Sequence, residues 1–366
     1  MRVLSRLVFL IAACALAACG GGGGTTGGAT SSGGGALPPG VGGVVVTVPT
    51  ASPVPTATPT PLPTIAPPAG VPAWNATQRK DYVAIAYGGN PPEHISVYAP
   101  GQSVASATLT YNGCCYEQIA FDAQGNLIAA TTGGGIFIYA PGIDAPPKTL
   151  PLQSGFALAV SAQGDLAVGG YNMGATSAVY LGGAASAMYR VPAQPAAYGL
   201  AFSPTGELAA AQSNGSVQTF ARGSTTPNRT LPVNLEFNGT NFAVLAYDSA
   251  GNLAVGSGVT SVVPVFAPGA TTPAYTITGL SSVQSLAFDS TNQLVVGENI
   301  DVKVFAAGSA TLVRTISNNR PVGLAVDADG DIALAGWTSP SMVYQGNGNV
   351  VTINGLFQAE SVAISP

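Results

Sequence analysis

The chain has 366 residues, of which 46% are hydrophobic and only 7% are Asp, Glu, Lys or Arg, against a usual charged share of about 25%. That balance supplies material for a large core and excludes a wholly disordered chain, while 48 glycines and 29 prolines promise many turns. The net charge is −5 and no Lys/Arg cluster exists beyond the first six residues, so a nucleic-acid partner, which needs a basic stripe to neutralise phosphates, is not expected.

Residues 1–6 carry Arg2 and Arg6, and residues 7–18 are apolar or small. This is a signal-peptide layout, too short to cross a bilayer as a mature helix. The run ends in Leu16-Ala17-Ala18-Cys19, which resembles the lipobox of bacterial lipoproteins. The resemblance implies cleavage after residue 18 and acylation of Cys19, the small residues suiting a peptidase groove and the thiol accepting the lipid. Cys14 after Ile11-Ala12-Ala13 is a poorer second candidate, because cleavage there leaves a very short apolar run. An ordinary secretory signal is the alternative. Acyl chains contribute about 0.8 kcal/mol per buried CH₂, enough for a durable anchor. Gly20, in place of an acidic residue, implies by the same resemblance an outer-membrane address in the cell envelope.

Residues 19–74 read as a linker. Residues 20–43 are rich in Gly, Thr and Ser, a flexible composition. Residues 49–72 alternate Pro with Thr, Ala and Val, favouring polyproline II at roughly 3.1 Å per residue, a reach on the order of 70 Å. A leader without a spacing role fits the same composition.

Residues 75–366 are expected to form one domain, because a unit repeats through most of that length. It reads IAFDAQGNL at 119–127, LAVSAQGDL at 158–166, LAFSPTGEL at 200–208, LAYDSAGNL at 245–253, LAFDSTNQL at 286–294 and LAVDADGDI at 324–332. The turn residues Gly125, Gly164, Gly206, Gly251, Asn292 and Gly330 recur at intervals of 39, 42, 45, 41 and 38. A period near 40 made only of strand-like runs predicts an all-β propeller. Each unit has an apolar strand, then a turn whose Asp or Ser can bond the backbone ahead of it, then a second strand. A third strand ends in Gly, as in ISVYAPG at 95–101 and VPVFAPG at 263–269, and a shorter polar one follows. The first unit lacks a first strand, and residues 361–366 look like a first strand with nothing after it. The C-terminal strand is therefore expected to close a ring of seven blades. The Leu-Ala-Phe-Asp-x-x-Gly-Asn-Leu pattern resembles NHL-type propellers and the related YVTN-like and gluconolactonase-like families. NHL propellers often have six blades, so six is the alternative count.

The candidate chemistry is sparse. His94, the only histidine, excludes a His-rich zinc site and reads as a surface residue in a connection. Aligning the units places Glu117, Phe156, Tyr198, Ala243, Gln284, Val322 and Glu360 in one column just before the innermost strands, at the mouth of the central channel. The next column, Gln118, Ala157, Gly199, Val244, Ser285, Gly323 and Ser361, is mostly small, as a narrow channel requires. Glu117 and Glu360 fall on adjacent blades and, with Gln118, form a candidate Ca²⁺ or acid/base site; solvated loop carboxylates are the plainer reading, with no cofactor. Cys114 and Cys115 are free thiols or a strained vicinal disulfide, their Cα atoms about 3.8 Å apart. Tyr171 and Trp337, in connections on the same face, are candidates for stacking on sugars or packing on a partner; ordinary rim packing is the plainer reading. Two functions fit: a monomeric, membrane-anchored binding or scaffold module for a protein, peptide or glycan, or a metal-dependent lactonase-like hydrolase.

Overall fold

A turn that recurs six times sets the architecture. At Asp122 the carboxylate Oδ1 accepts the amides of Gln124 and Asn126 at 2.9 and 2.8 Å, and Gly125 closes the loop at φ 76°. Ser161, Ser203, Asp248, Asp289 and Asp327 accept equivalent amides in the other units. Five of the six turns place Gly at positive φ, where a Cβ is costly. The sixth uses Asn292, at φ 63°. Its side chain has a second task, because Oδ1 accepts the amide and hydroxyl of Ser249 in the neighbouring turn at 3.0 and 2.8 Å.

Each turn joins an innermost strand to the next one out in six of the seven antiparallel sheets of the computed structural model. It describes residues 62–65, 69, 71–75, 77, 79–89, 92–112, 116–131, 135–142, 147–150, 155, 157–169, 176–182, 187, 189–192, 199–212, 214–235, 243–317 and 321–366. Cys19, the expected signal peptide and most of the expected linker lie outside them, as do Tyr171, Tyr198, Cys114 and Cys115. Blade one takes its innermost strand, Ala359–Ile364, from the end of the chain; Val83–Tyr87, Glu93–Tyr98 and Ala105–Tyr111 follow outward. The innermost strands of blades two to seven are Tyr116–Phe121, Ala157–Val160, Leu200–Phe202, Ala243–Tyr247, Val283–Phe288 and Pro321–Val326. Every one touches the next, and blade seven touches blade one. The protein is a seven-bladed β-propeller, and all regular structure among the described residues is β.

Closure follows the expected register. Val83 pairs with Ile364, Ala84 with Ala363 and Ile85 with Val362. Beyond the strand, Tyr82 N donates to Ser365 Oγ at 2.8 Å and Ser365 N to Tyr82 O at 2.8 Å. Blade one also carries a fifth, outermost strand, Leu62–Ile65, paired with Ala105–Tyr111. It lies within the stretch read as linker, where alternating prolines hide strand potential. An edge strand tolerates Pro63, because only one side of it needs to bond. Trp74, also in that stretch, is 1% exposed and meets Phe121 edge-on at 6.1 Å.

The core lies between blades. Ile128, Ala130 and Ile136 of blade two pack with Leu158, Leu166 and Val168 of blade three, and equivalent layers recur around the ring. Burying one such side chain stabilises the fold by about 1.5–3 kcal/mol. The second strands, such as Leu253–Ser257 and Ile332–Gly336, are buried throughout, whereas the innermost strand Pro321–Val326 is mostly half-buried, its free edge lining the channel. The outermost Leu312–Ser317 is mostly exposed.

Candidate functional site

The innermost strands start on one face, here called the upper face, which also carries the connections from second to third strands. The Asp/Ser-x-x-Gly turns occupy the lower face. At the start of four innermost strands the ladder breaks in the same way. Tyr116 pairs with Thr131 and Gln118 with Ala130, leaving Glu117 without a partner between them. Gln284 is skipped between Val283 and Ser285, Val322 between Pro321 and Gly323, and Glu360 between Ala359 and Ser361. Each is a β-bulge, a device that turns one residue out of the ladder and re-aims its side chain. The bulged residues are the column expected at the channel mouth, and they fall on four consecutive blades, six, seven, one and two. Ala243 of blade five pairs regularly with Ser257, so its strand has no bulge there.

The neighbouring column is mostly small, and adjacent innermost strands nearly touch there. A methyl group at Gly199 would lie 2.6 Å from the Ala243 carbonyl oxygen, and one at Gly323 would lie 3.3 Å from the Glu360 carbonyl oxygen. Two of its polar residues clasp the next blade. Gln118 Oε1 accepts the Leu158 amide at 2.7 Å, and Ser361 Oγ accepts the Ile119 amide at 3.2 Å. Gln118 is thus engaged between blades, with its carbonyl oxygen already committed.

Glu117 and Glu360 are half-buried and share their surroundings with Glu93, which sequence reasoning missed. Glu93 opens the third strand of blade one, is 2% exposed, and accepts the Tyr116 amide through Oε2. Burial, then the Glu93 charge, pushes the Glu117 carboxyl up to about 8. Burial, then the charges of Glu117 and Glu93, does the same for Glu360. Both hold a proton at neutral pH. A second acidic corner lies on blade six, where Glu298 accepts the Ser281 amide and pairs with Lys303 Nζ, each at 2.5 Å. There burial and the nearby Glu298 raise Asp301. Gln284 Nε2 donates to Ser282 Oγ at 2.8 Å.

His94 differs from the surface residue expected. It lies inside the strand Glu93–Tyr98, half-buried, with Nδ1 3.1 Å from Thr110 Oγ1 and its ring 5.4 Å from that of Tyr87. Burial lowers its pKa. The Pro91-Pro92 pair had suggested a connection, but the strand starts immediately after it. Trp337 is half-buried in the second-to-third connection of blade seven. Among the described residues no three His, Cys, Asp or Glu side chains form a group able to hold a metal ion. The lactonase-like alternative is thus without support among the described residues.

The upper face also exposes apolar side chains that the sequence alignment left unremarked. Ile300 on blade six and Phe357, leading into the innermost strand of blade one, are each 66% exposed, the most of any large hydrophobic residue described. Val259 and Val262 of blade five are 39% and 38% exposed. Phe357 is held in place, since its carbonyl accepts the Gly88 amide at 3.0 Å and Gln358 after it adopts φ 51°.

The fold has known company. No protein family matches the chain, and no curated protein does. Many solved chains match, among them the β-propeller domain of Cps50 (Swd1) from Myceliophteria thermophila, at 16% identity and a TM-score of 0.56, covering 68% of this chain and 89% of that one. That likeness supports the propeller fold alone.

Proposed function

We propose that the protein is an envelope lipoprotein whose NHL-type propeller is a binding and scaffold module, held to the membrane through acylated Cys19 and engaging a polypeptide with its upper face. The observation that carries the binding reading is the pair of exposed side chains, Ile300 and Phe357, on the same arc of blades as the bulged mouth residues. Water-exposed aliphatic and aromatic groups on a fixed backbone suit a partner that covers them. The address rests on the lipobox-like residues 16–19 and on the apolar run before them.

Two measurements test the two halves. Labelling with radioactive palmitate is expected to mark the wild-type chain but not Cys19→Ala, and the variant should leave the membrane fraction. A photo-crosslinking residue at Ile300 should capture a polypeptide in living cells, while one at Val350, an exposed site on the outermost strand of blade seven, should not. Equal capture at both positions would sink the upper-face reading.

A further inference from the structure

Asparagine followed by glycine is the pair most open to spontaneous main-chain chemistry, because glycine, lacking a Cβ, turns freely and leaves its amide nitrogen unscreened. Three such pairs lie wholly within the described residues: Asn214-Gly215, Asn347-Gly348 and Asn354-Gly355. Gly113 and Gly239, which follow Asn112 and Asn238, lie outside them. The fold treats the three pairs differently. Gly215 is buried, its amide donates to the Gln212 carbonyl at 2.9 Å, and Asn214 Oδ1 accepts the Ser216 amide and hydroxyl at 3.0 and 2.8 Å. The Gly348 amide donates to the Gln345 carbonyl at 2.9 Å, and Asn347 Oδ1 accepts the Asn349 amide at 2.9 Å. Asn354 and Gly355 are both exposed, and among the described residues neither the Asn354 side chain nor the Gly355 amide has a hydrogen-bond partner. Gly355 adopts φ 81°, and a methyl group built on it would meet nothing within 4 Å. The pair stands in the upper-face connection between Val350–Ile353 and the closing strand Ala359–Ile364.

We infer that Asn354 is a site of spontaneous deamidation, converted to aspartate and isoaspartate ahead of Asn214 and Asn347. The Gly355 amide nitrogen attacks Asn354 Cγ. The N–Cγ bond forms, the Cγ–Nδ2 bond breaks, and Nδ2 leaves as ammonia with the proton that the amide gives up. One water then opens the cyclic imide at either carbonyl, giving aspartate or isoaspartate. At the other two pairs the attacking nitrogen must first give up its bond to a carbonyl, and the asparagine Oδ1 must leave its own donor. The turn therefore has to open before the ring can close. At Asn354 neither bond stands in the way. The product adds a negative charge to the upper face, and isoaspartate lengthens the main chain by one methylene shortly before Phe357. The reaction is independent of what that face binds.

The test is ageing of the folded protein. The full chain in detergent is held at physiological temperature and neutral pH for weeks, with a parallel sample unfolded in guanidinium chloride. Samples are digested at intervals, and tandem mass spectrometry assigns each conversion of amide to acid to its residue. In the folded chain residue 354 is expected to convert roughly fivefold faster or more than residue 214 or 347, as one retained hydrogen bond at each of those turns requires. Aspartate and isoaspartate products should separate as two chromatographic peaks. In the unfolded chain, where glycine follows each asparagine and no turn persists, the three rates should converge. Conversion of residue 354 no faster than that of residues 214 and 347 in the folded chain overturns the assignment. The same preference for residue 354 in guanidinium chloride also overturns it, because the cause would then lie in the neighbouring sequence and not in the fold.

Discussion

Glu117 and Glu360 are each held near 8, from an ordinary 4.5, chiefly by burial. A carboxyl whose folded pKa is raised stabilises the fold relative to ionisation while it stays protonated. That contribution is fully present below about 4.5 and drains away as pH climbs towards 8. Each tenfold gain in a carboxyl's proton affinity corresponds to about 1.4 kcal/mol, discounted here because both side chains are half in solvent. Glu117→Gln, which cannot ionise, is therefore expected to unfold at higher temperature than the wild type at pH 8, by about 1–2 kcal/mol of stability, and at nearly the same temperature at pH 4. Paired thermal melts at the two pH values check this, and a variant less stable at pH 8 would refute the assignment. The mouth column itself could be read by aligning repeats, since Glu117, Gln284, Val322 and Glu360 occupy equivalent places. Their bulges could not, because a skipped partner leaves no mark on one strand's sequence. Glu93 escaped notice for a related reason. It belongs to a third strand, outside the aligned column, and only the packing of blade one on blade two brings it against Tyr116, next to Glu117.

Between neighbouring elements, polar ties supplement the apolar layers. Asp165, fully buried on blade three, accepts Arg222 Nε and Nη2 of blade four at 2.6 and 2.9 Å, and the Gly182 amide at 2.9 Å. The Arg222 hydrogen bond lowers the Asp165 pKa, so this stabilisation is present above an ordinary aspartate pKa and disappears as pH falls through the lowered one. Asp165→Asn leaves the guanidinium without its counter-charge and is expected to cost about 2 kcal/mol at pH 7, allowing for the half-exposed Arg222. Urea titration should show that gap narrowing only under strongly acidic conditions. Blade four reaches blade five in the same manner, Arg229 Nη1 donating to the carbonyls of Ala267 and Ala270 at 3.0 and 2.9 Å. Strand order and turn positions were legible at this scale, because Asp122, Asp248 and their equivalents announce each hairpin. These ties were not, since the aligned repeats show no shared ion pair. The strand Leu62–Ile65 was hidden too, its pairing depending on a free edge elsewhere in the chain.

Across the whole molecule, the ring depends on a few terminal residues. A chain ending at residue 360 loses the buried Val362 and Ala363 and both Ser365 bonds to Tyr82, opening the sheet edge at Val83–Tyr87 and the adjoining apolar layer. Scanning calorimetry is expected to show either no cooperative transition or one lowered by more than about 10 °C, on the order of several kcal/mol of lost burial. A truncated chain that melted like the intact one would contradict the closed ring. The seven-blade count was legible because the first unit lacked a strand and the last had one to spare, a mismatch that only circular closure resolves.

Blade one is stitched from three distant stretches, residues 62–65, 83–111 and 359–364. A ribosome therefore emits six other blades before the strand that completes the first. Until then the growing polypeptide exposes an unmatched edge at each end of an unfinished array. Any helper that shields such edges has to stay bound through nearly all of synthesis. A message cut short by even a few codons yields a product that quality-control proteases can recognise as incomplete.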